Sequence, residues 1–214
     1  MIQKSHLPER PRGRPVDNDQ QNLRIQILDT AEDLFADSGY AATSIRKIAD
    51  NAGVNPALVH YYFGSKKELL KTVMARVLEP LSQAIAAMYE GSDASPDKIA
   101  TLLFSMAAEH PNVPRLIIRE VLLPGGEMQE HFIENMAPHL GGALPALLSR
   151  EKSAGRMRAD TDPAISALLV ISLCVFPFVA RTLAEQSLDI GFDQNGIDLL
   201  NQQITEMLKR GLTQ

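Results

Sequence analysis

Residues 43–66, TSIRKIADNAGVNPALVHYYFGSK, decide how the chain reads. Ile45, Ile48, Ala49 and Ala52 recur at i, i+3, i+4 and i+7, which gives a short helix one apolar face. Thr43 or Ser44 caps it, because a hydroxyl accepts from the free N–H groups of a first turn. Gly53 follows the last periodic residue, where a left-handed backbone favours glycine. Asn55-Pro56 restarts the chain, with Asn as N-cap and Pro at the first helical position, where its missing N–H is no loss. In this second helix Val59 and Phe63 lie four apart and point inward, which leaves Pro56, Ala57, His60 and Tyr61 facing out. Ser65-Lys66-Lys67-Glu68 is a capping box that opens a third helix. Two short helices about a glycine turn, the second with a small, polar and aromatic outer face, suit insertion into the DNA major groove.

Upstream, residues from about Leu23 to Ser38 form a buttressing helix with Ile27, Leu28, Ala31, Leu34 and Phe35 on one face, closed by Gly39. Downstream, Leu69, Leu70, Val73, Met74, Val77, Leu78 and Leu81 continue a wide apolar stripe, with an interruption expected near Pro80. Residues 1–22 are polar and broken by Pro8, Pro11 and Pro15, so a flexible arm without stable helix is expected there. Within it Arg12 and Arg14 belong to a Pro-Arg-Gly-Arg-Pro segment able to lie in a narrow A·T minor groove. The bland alternative is a solvated tail that adds only phosphate attraction. The whole chain of 214 residues carries −5, so its total charge does not point to nucleic acid. Its distribution does: residues 1–16 carry +3 and residues 40–67 carry +3, so the acidic surplus lies elsewhere.

The pieces ILDTAEDLFADSGYAATSIRKIADNAGV, residues 27–54, and HYYFGSKKELL, residues 60–70, resemble the DNA-binding domain of the TetR family of bacterial transcriptional regulators. The resemblance covers about the first third of the chain in linked motifs. It implies an all-α protein with a three-helix helix-turn-helix domain over 23–68 and a larger helical effector-binding and dimerisation domain over 69–214. It implies a homodimeric repressor released from a palindromic operator in double-stranded DNA by a small molecule. Carried onto this chain, it makes Arg46 a base or phosphate contact and Thr43, Ser44 and Lys66 phosphate contacts. It turns Asn55, Pro56, Ala57, His60 and Tyr61 to base edges or backbone, and Tyr62 to the backbone. Packing against the first helix is the competing role for Tyr62. His60 stands where the family usually has tyrosine, which would make binding mildly pH-sensitive.

The remainder reads as helices at about 95–110, 116–123, 127–149 with kinks at Pro138 and Pro145, 163–186 and 193–210, with no alternating strand pattern. Ala164 to Ala180 holds no charge over 17 residues, short of the about 20 that a membrane span needs. A helix apolar all round also fits a core or a subunit interface, and no membrane association is expected. The resemblance implies that 163–186 and 193–210 pair with a second copy. Phe104, Met106, Met128, Phe132, Met136, Phe176 and Phe178 are candidates for an apolar cavity, with His110, Arg119 and His131 to orient a polar group of an apolar or amphipathic effector. Plain core packing is the competing role for all of them. The sequence lacks H-E-x-x-H, G-x-S-x-G, Walker and dinucleotide fingerprints, so no enzyme, cofactor or metal is expected. One cysteine, Cys174, fits a buried thiol and a cytoplasmic protein. The other readings are an architectural A·T-preferring DNA binder and, behind it, a helical enzyme.

Overall fold

The computed structural model describes residues 17–91 and 94–213. Its helices are α1 Asp17–Ser38, α2 Ile45–Asn51, α3 Pro56–Phe63, α4 Lys66–Glu90, α5 Pro96–Glu109 and α6 Asn112–Ile117. A π-helical turn, Ile118–Leu122, follows, and then α7 Gln129–Asn135, α8 Ala143–Ser153, α9 Pro163–Val179, α10 Arg181–Ser187 and α11 Gln194–Leu212. Among the described residues there is no strand, and one isolated bridge joins Met157 to Thr213. The fold is all-α, as expected. Arg12 and Arg14 lie outside the described residues. The first helix begins at Asp17 and so takes in residues 17–22, which were expected to stay non-helical.

The first three helices and the start of α4 share a core. Ile27, Leu28, Ala31 and Phe35 of α1 meet Ile48 and Ala49 of α2, Val59 and Phe63 of α3 and Leu69 and Leu70 of α4, all buried. Hydroxyl and amide side chains set the helix starts. Ser44 Oγ accepts from Lys47 N at 3.1 Å, Asn55 Oδ1 from Ala57 N at 2.9 Å and Ser65 Oγ from Glu68 N at 3.1 Å. Only half of the expected capping box forms, because Glu68 takes the Lys71 ammonium at 2.8 Å instead of turning back. Hydrogen bonding to Lys71 holds the Glu68 carboxyl below its usual range.

In the second domain α5 packs on α9 and α11, and α8 packs on α9. The long α4 runs through Pro80 unbroken and contacts α1, α3, α5 and α8, so it belongs to both cores. Two expected helices differ. The span 127–149 divides into α7 and α8, with Met136 to Gly142 as turns around Pro138, whose ring removes a donor and clashes with the preceding turn. Pro145 causes no kink, because it sits in the first turn of α8 where an N–H is not needed. The span 163–186 bends by 68° at the break between α9 and α10, shortly after Pro177.

Within one chain α9 is covered on one side only. Ala167, Val170, Cys174 and Phe178 are buried, whereas Ile165, Leu168 and Phe176 are 61%, 63% and 63% exposed. Among the described residues no single helix is long and apolar enough to cross a membrane.

Candidate nucleic-acid interface and ligand cavity

The short α3 is held from one side by Val59 and Phe63, and its other side is open. Tyr61 is 77% exposed, and Asn55, Ala57 and His60 are exposed beside it, with Pro56 half-buried. His60 Nδ1 lies 2.9 Å from the Gly64 carbonyl. A carbonyl only accepts, so Nδ1 is the donor there, and the tautomer that fits this contact leaves Nε2 as an acceptor. That tautomer can take a hydrogen bond from adenine N6 or cytosine N4 in a major groove. Arg46 projects from α2 with its side chain 86% exposed, tethered only loosely to Asp50 at 3.8 Å.

Three of the residues assigned to DNA from sequence have partners inside the chain. Thr43 is buried, with Oγ1 2.8 Å from the Gly39 carbonyl and 3.1 Å from that of Leu34, so its hydroxyl fastens the end of α1 and faces no phosphate. Lys66 donates to the carbonyls of Tyr40 at 2.8 Å and Thr43 at 2.9 Å, with its ammonium 4.0 Å from the Tyr40 ring centre. It holds the loop before α2 closed with two of its three N–H donors. Tyr62 is half-buried against the core, between the rings of Tyr61 and Phe63.

A contact between the two domains was not foreseen. The π turn carries Arg119, whose guanidinium donates to the carbonyls of Asp37 at 3.3 Å and Ser38 at 3.1 Å. Its neighbour Glu120 is buried and accepts from Tyr40 N at 3.0 Å. Arg115 reaches Asp37 at 3.1 Å, and Lys67 reaches Glu127 at 2.9 Å. The hydrogen bond and charge of Glu127 raise the Lys67 ammonium above its usual value. Gly39, at φ +83°, lets Arg119 lie close: a Cβ there would stand 2.5 Å from Arg119 Nε. The sequence signal for this clamp was a charged pair, Arg119-Glu120, inside an otherwise apolar run.

The other face of that π turn borders a cavity of about 450 Å³ between α4, α5, α9 and the turns after α7. Met106, Phe132 and Phe176 are in its wall. The remaining candidates are elsewhere. Phe104 and Phe178 pack on each other at 5.2 Å, Met128 is core, and Met136 and His131 border a polar groove along α4. His110 caps α5 and Arg119 points to the end of α1, so none of the three polar candidates lines the cavity. Cys174 is buried, its thiol pushed up to about 12 by burial. It donates to the Ala100 carbonyl at 3.4 Å, which makes it a structural thiol.

A helix-turn-helix joined by a long helix to a cavity-bearing helical domain defines a class of DNA-binding regulators. Residues 27–73 match the family model of bacterial regulatory proteins of the tetR family, and residues 97–211 match the tetracyclin repressor-like C-terminal domain. The chain belongs to the TetR family. It is 37% identical to the transcriptional regulator HbdR of Aromatoleum sp. over 71 residues, 33% of this chain and 31% of that protein. The chain thus spans under two thirds of that relative's length. The ketosteroid transcriptional regulator KstR2 of Mycobacterium tuberculosis shares the fold, with a TM-score of 0.72 at 19% identity over 93% of this chain and 97% of that one. So does FadR of Bacillus subtilis, solved with stearoyl-CoA, with a TM-score of 0.61 at 21% identity over 87% and 98%.

Proposed function

We propose that the chain is a homodimeric repressor that reads a palindromic operator through α3 and leaves it when a small molecule occupies the cavity. The open outer face of α3 carries this reading: Ala57, His60 and Tyr61 are exposed while Val59 and Phe63, which hold the helix, are buried. Ser44 and Asn55 stand at the starts of α2 and α3, where first-turn N–H groups favour phosphate, and Arg46 is free to reach guanine O6 and N7. Residues 23–68 act as the reader and 69–214 as its control. The exposed stripe of α9, with Leu199 and Met207 of α11, is the face a second copy covers. An operator-binding repressor works in the bacterial cytoplasm. The relative crystallised with stearoyl-CoA supports a small-molecule ligand.

The π turn supplies a route for control. Ile118 and Leu122 touch the cavity, and Arg119 and Glu120 grip the loop between α1 and α2. A ligand that shifts the turn moves the reader, and coupling of about 1–3 kcal/mol changes DNA affinity roughly 5- to 150-fold. Selection from a random duplex pool at near-physiological salt tests the reading. An enriched palindrome is expected; enrichment of A·T tracts alone would support the architectural role of the arm instead.

A further inference from the structure

The composition of the cavity wall narrows the ligand beyond a small molecule. Leu78, Leu81 and Ile85 of α4, Leu103 of α5, and Ile171 and Val175 of α9 set its character, and among the described residues none in the wall is ionisable. One wall hydroxyl exists, Ser172, and its Oγ already donates to the Leu168 carbonyl at 2.7 Å. A carboxylate, phosphate or ammonium placed inside would lose its water and find no counter-charge, a desolvation that proteins tolerate only when the charge is paired. A cavity of about 450 Å³ falls in the range of roughly 300–1,000 Å³ usual for drug-sized ligands. Its open side is equally apolar: Leu122, Leu168 and Phe176 line it while each is 63% exposed. Leu168 and Phe176 also belong to the face assigned above to the second copy, so dimerisation would close that side with more apolar surface.

We propose that this cavity binds an uncharged, hydrocarbon-rich molecule and discriminates against ionised amphiphiles of the same chain length. The inference deepens the regulator reading and rests on it. N-Phenyl-1-naphthylamine, an uncharged dye that brightens in apolar sites, is the probe for the full chain. Decan-1-ol is expected to displace it, with decanoate and decyltrimethylammonium at least 100-fold weaker.

Two variants tie the binding to this place. Gly141 borders the cavity and a Cβ there meets nothing within 4 Å, so Gly141→Leu extends into open space. It should abolish dye binding and leave DNA binding intact. Ser172→Asp, at an exposed position, should weaken decan-1-ol at least tenfold and make decyltrimethylammonium the better competitor. Equal or better displacement by either ion in the native chain, no dye binding, or unchanged binding in a folded Gly141→Leu or Ser172→Asp variant would overturn the proposal. Dye and duplex binding are scored separately. A chain that selects a palindrome yet ignores the dye refutes the ligand class alone; one that takes the dye and selects no DNA refutes the regulator reading.

Discussion

Lys66 and Arg46 carry the same charge in opposite surroundings: one ammonium is held by backbone carbonyls, and the other side chain stands in the open. Sequence placed both near helix starts, where a cation facing phosphate is a reasonable expectation. The carbonyls of Tyr40 and Thr43 that capture Lys66 lie more than twenty residues upstream, and no local pattern announces them. Thr43 was misread for the same reason: a hydroxyl one residue before the true cap looks identical in sequence to the cap itself. Lys66→Met should lower stability by about 1 kcal/mol, a charge-assisted hydrogen-bond contribution reduced by partial exposure. It should show as a lower Tm with DNA affinity changed little. Arg46→Ala should do the reverse, leaving the Tm in place and weakening operator binding about tenfold, as loss of one good bidentate contact predicts. Duplex titration beside thermal melting of both variants checks the pair.

The elements of the reader were legible because each carried its own punctuation: Ser44 and Asn55 as caps, Gly53 at φ +64° between them, and Pro56 at a helix start. The second domain was less so. Apolar runs such as Leu116 to Leu123 look alike in sequence whether α or π. Removing its grip by Arg119→Ala or Glu120→Gln should leave cavity binding unchanged and reduce the ligand's effect on DNA affinity to under about twofold, well below ordinary coupling. Retention of full coupling would mean that control passes through α4 alone. The buried side of α9 has its own probe. Burial raises the Cys174 thiol from 9 to about 12. The folded state therefore keeps a proton that the unfolded chain releases, and stability falls as pH climbs from 9 toward 12. At pH 8 iodoacetamide should leave the native thiol unmodified and label it fully in denaturant, followed by mass spectrometry.

At the scale of the molecule, the acidic total charge hid a reader whose basic residues are concentrated around α2 and the start of α4. The uncharged stretch 164–180 was legible as a helix that needs covering, and the single chain leaves its outer stripe bare. On the function proposed above, a second copy covers it and so sets the spacing of the two readers. That reading requires two copies of α3 in successive major grooves about one helical turn, roughly 34 Å, apart. Methylation of guanine N7 by dimethyl sulfate on a selected duplex reports that geometry directly, because N7 lies in the major groove. The account predicts two symmetry-related patches of protection centred about 10 base pairs apart, both lost in Tyr61→Ala. A single patch, or binding with every N7 left reactive, would contradict a two-fold reader built on α3.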